Sequence, residues 1–251
     1  MNPKQFFQKT YEVLRENNSK RIIKNIVKII NKFIRVSGYK LTRDIPYIYL
    51  HKYNSYDEYV EIQKFTNKRK LDRVWADDKT LQIVADRVKE NIPENKNYFL
   101  NGICHGSRNG YEVNKLNERL NTSEVIGTDI SETAKDYKNL VVWDFHKVNP
   151  DWNKKFDFVY TNSLDQAQQP FEAIKTWLGQ LKKDGILFIE HSRTHHGVDG
   201  VTDYDPFGVL PEFMPYALCE EFGHSISIEI MTTKKSNNNI EICLFIIKNQ
   251  P

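Results

Sequence analysis

The sequence predicts an α/β protein built on a doubly wound, mostly parallel sheet that ends in an antiparallel hairpin. After residue 97, short apolar runs rich in Val, Ile, Phe and Tyr alternate with segments of helical spacing. These runs are apolar on both faces, which is typical of parallel strands covered by helices on both sides. Near the C-terminus, two long apolar runs flank the segment KKSNNN, and this pattern predicts a hairpin at one edge of the sheet.

The first predicted element is a basic amphipathic helix over residues 20–36. Lysines and arginines occupy one face, and the other face carries Ile22, Ile26, Ile29, Ile30 and Phe33. We favour a helix that packs its apolar stripe on the main domain and leaves its lysines in water. Contact of this helix with a membrane surface or a protein partner is the alternative.

A helical extension or cap over residues 1–93 is predicted to precede a sheet domain over residues 94–251. A broken pattern with Gly38 and Pro46 is followed by two helical stretches, residues 56–75 and 79–92. The segment NIPENKN then predicts a linker. Beyond it, the predicted strands are YFLNGIC, EVIGTDI, LVVWDF, FDFVYTN and GILFIEHS, and the predicted helices are YEVNKLNERL and PFEAIKTWLGQL.

The composition favours an ordinary globular protein. With 36 Lys and Arg against 33 Asp and Glu, the formal net charge is +3, which gives no strong nucleic-acid signal. The three cysteines lie far apart without metal-ligand spacing, as expected in a reducing compartment. The N-terminal segment lacks the apolar core of a secretory signal, and charges interrupt every long apolar stretch. We therefore expect a soluble, cytoplasmic protein.

A glycine-rich loop follows the first strand of the predicted sheet. In NGICHGSRNGYEV, the glycines are Gly102, Gly106 and Gly110, a spacing that differs from the dinucleotide-binding fingerprint. Such a loop brings backbone amides and a helix N-terminus close to a ligand. Glycines that serve only a tight turn would give the same pattern.

Acidic residues end the next two predicted strands. Asp129 lies about twenty residues after the glycine loop, the offset at which a carboxylate accepts hydrogen bonds from ribose hydroxyls in nucleotide-binding folds. Capping of the following helix is the alternative role for Asp129. Asp144, followed by Phe145 and His146, ends the third strand, where a carboxylate would accept from an exocyclic amine.

A polar cluster follows the fourth predicted strand, where the reacting end of a ligand would lie. It contains Asn162, Ser163 and Asp165. Because the carboxyl ends of parallel strands share one edge of the sheet, we expect adjacent strand ends to bind the two ends of one elongated ligand.

These segments together resemble the class I S-adenosylmethionine-dependent methyltransferases, whose fold is Rossmann-like. More specifically, GSRNGYEV, WDFH, DFVYTNSLDQA and LKKDGILFIE are similar to a branch with a glycine-arginine-glycine-glutamate loop and a DFH segment followed by TNSLDH. The resemblance covers residues 98–192. The chain departs from it at Asn101, where most members have an acid, and at Gln166, where the branch has a histidine.

The resemblance implies a cofactor site for S-adenosyl-L-methionine and roles for the residues that match. The glycine loop would wrap the methionine part, with Glu112 supplying negative charge; Asp129 would hold the ribose, and Asp144 with Phe145 the adenine. The predicted cofactor-binding residues are His105, Gly106, Ser107, Arg108, Gly110, Glu112, Asp129, Ile130, Asp144, Phe145, His146, Asn162, Ser163 and Leu164. Methyl transfer is an in-line displacement that depends mainly on alignment. Where the acceptor must lose a proton, the candidate bases are Asp165 and His191.

The histidine-rich segment EHSRTHHGVDGVTDYDP shows no recognisable metal-ligand spacing, and no metal is predicted. We expect instead a loop over the acceptor pocket, in which Gly197, Gly200 and Gly208 would allow movement. The predicted acceptor is a small molecule or a glycan, methylated on oxygen or nitrogen.

Three other functions fit the sequence less well. A nucleic-acid methyltransferase would need a module that reads or extrudes a base, and none is evident. A nicotinamide oxidoreductase would need the dinucleotide glycine spacing. A non-catalytic binding module that keeps the cofactor fold is compatible with the irregular glycine loop, because a fold does not determine activity.

Overall fold

The computed structural model describes residues 47–92, 98–195, 200–236 and 238–250, without the side chain of His195. The predicted basic helix over residues 20–36 lies outside these residues. The described residues belong to one compact unit that includes both the sheet and the helices between residues 56 and 91. The predicted boundary at residue 93 stays a prediction.

The main sheet has seven strands, which are β2 (Gly102–His105), β3 (Val125–Asp129), β4 (Leu140–Val142), β5 (Phe156–Thr161), β6 (Leu181–Ser192), β8 (Ile226–Lys234) and β9 (Glu241–Asn249). Their order in the sheet is β4-β3-β2-β5-β6-β9-β8. The five strands from β2 to β6 pair in parallel, whereas β9 is antiparallel to both β6 and β8. The predicted mostly parallel sheet with a terminal antiparallel hairpin is therefore confirmed.

Five helices accompany the sheet within the described residues. They are α1 (Tyr56–Arg69), α2 (Asp78–Asn91), α3 (Tyr111–Leu120), α4 (Pro170–Gln180) and α5 (Met214–Phe222). Ser55 caps α1 by accepting from the Glu58 amide, and Asp77 caps α2 in the same way. The helix α1 is shorter than predicted. It ends at Arg69 because side chains of the glycine loop bind the next backbone carbonyls, as described below.

Both faces of the sheet are covered by apolar side chains. On one face, Trp177 of α4 is fully buried among residues of β5, β6 and β9. On the other, α2 and α3 contribute Leu81, Val84 and Leu116, which are also fully buried. Full burial of each such side chain contributes roughly 1.5–3 kcal/mol. This packing keeps the strands fixed, so the loops at their carboxyl ends stand on a rigid support.

A small antiparallel ribbon, which the sequence patterns do not predict, joins two distant segments. Its strands are β1 (Ile48–Leu50) and β7 (Phe207–Val209), with Ile48 opposite Val209. The Tyr53 hydroxyl extends this contact by donating to the Asp203 carbonyl at 2.6 Å. The ribbon therefore ties the chain just before α1 to the segment after the histidine-rich loop.

Within the described ranges, no helix is both long enough and apolar enough to cross a membrane.

Candidate functional site

The carboxyl ends of the parallel strands meet at one edge of the sheet and form a cleft there. Gly106 follows β2, Asp129 ends β3, and Asp144 with Phe145 follows β4. The predicted residue Ile130 also lines this cleft. The structure thus brings together the residues that the sequence assigns to ribose and adenine, because parallel strands end on the same side of the sheet.

Asp129 is a buried carboxylate that accepts hydrogen bonds from three donors. The backbone amides of Arg108 and Ser131 donate at 3.0 and 2.8 Å, and the Asn67 side-chain amide donates at 2.7 Å. Burial raises the pKa of Asp129 above its ordinary value, although the two backbone amides oppose this shift. The cap of the following short helix is Ser131, whose side chain accepts from the Thr133 amide, so Asp129 is not the capping residue.

Asp144 holds a second hydrogen-bond network at the other end of the cleft. Its carboxylate accepts from the Tyr56 hydroxyl and from the His146 backbone amide at 3.1 Å, and it lies 2.9 Å from the His146 ring nitrogen Nδ1. Burial disfavours the charged form, but the hydrogen bonds from His146 and Tyr56 outweigh it and lower the pKa of Asp144. Asp144 is therefore an anion near neutral pH. The Phe145 ring lies beside it, 5.4 Å from the Trp177 ring.

The glycine loop, residues 106–110, directs a backbone amide rather than the Arg108 side chain towards Asp129 in the cleft. Gly106 and Gly110 have left-handed backbones, with φ of 75° and 72°. The buried Ser107 donates to the Cys104 carbonyl at 3.0 Å. The Arg108 guanidinium donates to the Lys70 and Arg73 carbonyls at 3.5 and 3.2 Å. The side chain of Arg108 therefore binds the chain after α1, while its backbone amide faces the cleft.

The helix α1 covers the cleft with its own polar side chains. Besides Asn67 on Asp129 and Tyr56 on Asp144, the Tyr59 hydroxyl donates to the Gln166 carbonyl at 3.0 Å. The cavity that remains has a volume of about 20 Å³, whereas sites for small molecules measure roughly 300–1,000 Å³. We call this arrangement, with α1 on both carboxylates, the closed form. A nucleoside cannot enter it unless α1 moves.

Two predicted residues with ionisable side chains lie inside the core instead of the cleft. His105 stacks on Trp177 and is hydrogen bonded to Thr128 and Gln180 at 2.8 and 2.9 Å. Burial lowers the pKa of His105 to about 4, so it is neutral at physiological pH. Burial likewise raises the pKa of Glu112 to about 7, partly opposed by a hydrogen bond from its own backbone amide. Glu112 therefore carries much less negative charge near neutral pH than an exposed glutamate.

A second, larger cavity lies beside the polar cluster that follows β5. Its volume is about 490 Å³, and its walls include Asn162, Ser163 and Asp165 together with Lys70 and Arg108. Ser163 donates to the Gly106 carbonyl at 3.3 Å, which joins this cluster to the glycine loop. Leu164, in contrast, is buried in the core. The cluster thus lines the larger cavity and contacts the glycine loop of the cleft through Ser163.

His191 lies beneath β7 and lines neither cavity. It is 4% exposed, and its ring nitrogen Nε2 donates to the Val209 carbonyl at 2.8 Å. Among the described residues, no group of three His, Cys, Asp or Glu side chains has a geometry suited to a metal ion. Residues 196–199 of the histidine-rich segment lie outside the described residues.

The sequence predicts a helical cap before the sheet domain, but it does not indicate which residues of α1 reach this site. Asn67 and Tyr56 reach carboxylates that are 62 and 88 positions away in the chain. No local pattern marks such contacts. The one indirect signal is the run of polar residues on the face of α1 that carries the buried Gln63.

Comparison with family models and with curated protein sequences gives no match. Comparison with solved structures does. The chain is similar to the 1,6-didemethyltoxoflavin-N1-methyltransferase of Burkholderia thailandensis, with a TM-score of 0.59 and 9% identity over 80% of this chain and 93% of that one. The plantazolicin methyltransferase BpumL gives a TM-score of 0.57 and 14% identity over 77% and 96%. The CMeT domain of the citrinin polyketide synthase gives 0.53 and 14% over 69%, and the chain spans only 52% of its length.

These similarities show that the chain has the fold of class I methyltransferases. The predicted Rossmann-like fold is confirmed.

Proposed function

We propose that this protein transfers a methyl group from S-adenosyl-L-methionine to a small-molecule or glycan acceptor. The observation that carries the proposal is the pair of buried carboxylates at adjacent strand ends. Asp129 and Asp144 face one cleft, and both accept hydrogen bonds from side chains of α1. Two acceptors in this arrangement fit the hydroxyl donors of a ribose at one end and the amine donor of an adenine at the other.

The residues present fit this cofactor in their chemistry, provided that α1 moves. Asn67 and Tyr56 supply donors to Asp129 and Asp144 in the closed form. The ligand's hydroxyl and amine donors would replace them on the same oxygens. Two of the similar structures support the assignment, since both are methyltransferases in complex with S-adenosylhomocysteine.

In the mechanism, the chain mainly binds and aligns. The bound cofactor would supply an electrophilic methyl group. Asp129 and Asp144 would hold the adenosine, and the Arg108 amide would keep Asp129 oriented. Asn162 and Ser163 would face the reacting end, and Asp165, which is only 6% exposed, would accept a proton where the acceptor has to lose one.

One observation favours a second candidate, a non-catalytic module that keeps the fold without binding the cofactor. In the closed form the cleft retains only about 20 Å³, and α1 satisfies both carboxylates. A protein that had lost cofactor binding would be stabilised by such internal contacts. The binding experiment below separates the two functions.

The test is calorimetric titration of the purified protein with S-adenosylmethionine, S-adenosylhomocysteine and NAD. We expect the first two to bind and NAD not to bind. Asp129→Ala and the more conservative Asp129→Asn should weaken binding about tenfold or more, because hydrogen bonds from the ribose hydroxyls to a charged acceptor are lost. The exposed Asp136→Ala serves as the matched control and should bind as the unaltered protein does. Absence of binding by the folded protein would favour the non-catalytic module.

A further inference from the structure

The cavity beside the polar cluster is lined by positive charge. The cationic side chains are Lys70, Arg73 and Arg108. Within the described part of the chain, none of them forms an ion pair with a carboxylate. The Lys70 ammonium lies 4.5 Å above the Tyr204 ring, and the Arg108 guanidinium donates to backbone carbonyls. These contacts orient Lys70 and Arg108. The charge of Arg108 also acts on the buried Asp129, whose pKa it lowers, so Lys70 and Arg73 are the cations left for a ligand.

The wall that carries Lys70 and Arg73 is held from both sides. It is the linker between α1 and α2, residues 70–77. The glycine loop binds this linker through the Arg108 contacts described above. It also binds through the side-chain amide of Asn109, which donates to the Leu71 carbonyl at 2.8 Å. The hairpin between β8 and β9 binds it through Lys235, which donates to the Trp75 carbonyl, and through Ser236, whose amide donates to Asp77 at 3.0 Å. A wall anchored in this way is organised before a ligand arrives.

Two carboxylates, Asp165 and Asp205, also line the cavity, so its three cationic side chains exceed its anionic ones by one. The lining therefore keeps a net positive charge. Cations that share one cavity repel each other, and this repulsion is relieved by an anion placed between them. Arginine in particular recognises carboxylate and phosphate groups.

We propose that this cavity binds the methyl acceptor and that the acceptor carries an anionic group, a carboxylate or a phosphate. The inference rests on the proposed function. The cavity adjoins the cleft, since Lys70, Arg108 and Gln166 line both. Its volume of about 490 Å³ lies in the range of sites for whole small molecules. An anion held by Lys70 and Arg73 would leave the rest of the acceptor directed towards Asn162 and Ser163.

The cations have a second possible anion, the carboxylate of the cofactor's own amino-acid part. The two sources predict different results for Arg73→Gln and Lys70→Gln. If the cations bind the acceptor, both variants keep the affinity for S-adenosylhomocysteine and lose affinity for anionic probes. If they bind the cofactor's carboxylate, S-adenosylhomocysteine binds more weakly, while 5′-methylthioadenosine, which lacks that carboxylate, is unaffected.

The experiment measures probe binding at low salt to the protein with and without saturating S-adenosylhomocysteine. The probes are phenyl phosphate, benzoate and benzylamine, read by the shift of the unfolding temperature and by calorimetry. We expect phenyl phosphate and benzoate to bind and benzylamine not to bind. Arg73→Gln and Lys70→Gln should each weaken binding of the anionic probes about three- to tenfold. The control Lys89→Gln, at an exposed position on α2, should not.

Each other outcome has a definite meaning. Equal binding of benzylamine and phenyl phosphate, or equal loss in Lys89→Gln, would overturn the anionic site. Weaker S-adenosylhomocysteine binding with unchanged probe binding would assign the cations to the cofactor and overturn the proposal. Failure of S-adenosylhomocysteine to bind, with anion binding intact and sensitive to Arg73→Gln, would refute the proposed methyl transfer while retaining an anion site.

Discussion

The contact between Asn67 and Asp129 gives a quantitative prediction about cofactor binding. If the cofactor's ribose and Asn67 compete for one carboxylate, Asn67→Ala should destabilise the closed form and favour binding. The hydrogen bond is 2.7 Å long and involves a charged acceptor. Such bonds contribute about 1.5–3 kcal/mol, and Asn67 is half-buried, so we take about 1.5 kcal/mol.

This energy corresponds to a tighter apparent affinity by roughly tenfold, because the binding-competent fraction rises by that factor while the closed form still dominates. The assay is calorimetric titration with S-adenosylhomocysteine, and Lys68→Ala, exposed on the same turn of α1, is the matched control. An unchanged or weaker affinity in Asn67→Ala would refute the competition. Such a result would mean that α1 does not occlude the ribose site or that Asn67 itself binds the cofactor.

Two further predictions concern stability. Gly106→Ala should destabilise the protein by about 1–3 kcal/mol, since φ is 75° and the added Cβ would lie 2.5 Å from Ser163; Gly179→Ala in α4, which meets nothing within 4 Å, should instead stabilise slightly. Urea unfolding measures both, and equal effects would contradict the assignment. Burial raises the pKa of Glu112 to about 7 from the ordinary 4.5. The contribution of the protonated Glu112 to the free energy of unfolding is therefore fully present below pH 4.5. About 3 kcal/mol of it is lost as the pH rises from 4.5 through 7. In Glu112→Gln, the free energy of unfolding should no longer show this loss between pH 5 and 8, whereas the exposed Glu118→Gln should still show it. A pH dependence of stability that is unchanged in Glu112→Gln would show that the carboxyl is not desolvated.

Much of the fold follows from the sequence because its signals are local. The apolar runs and the KKSNNN hairpin predict the central strands, and in the structure these form the seven-stranded sheet. The ribbon of β1 and β7 was not predicted, since each strand has only three residues and pairs across more than 150 positions. The sequence also predicts the end of α1 at residue 75, several residues beyond its actual end at Arg69. The backbone carbonyls of Leu71 and Arg73 accept hydrogen bonds from the side chains of Asn109 and Arg108 instead of from helical amides.

The acidic residues of the candidate site and a helical cap could be predicted from the sequence, but the contacts that α1 makes with the site could not. Asp129 and Asp144 lie at the ends of strands, and strand ends can be predicted from the pattern of apolar residues. Whether a histidine or a glutamate after a strand faces a ligand depends on side-chain direction, which is set by packing. The His105 ring stacks on Trp177 in the core. Because these two residues are distant in the sequence, this contact cannot be predicted from a local pattern.

The most direct test of the account is the structure of the protein in complex with S-adenosylhomocysteine. The account predicts that Asp129 accepts hydrogen bonds from the ribose hydroxyls at about 2.5–3.0 Å, that Asp144 lies at the adenine, and that Asn67 and Tyr56 have left both carboxylates. A complex in which S-adenosylhomocysteine binds elsewhere, or in which α1 still holds Asp129 and Asp144 with the ligand bound, would contradict it.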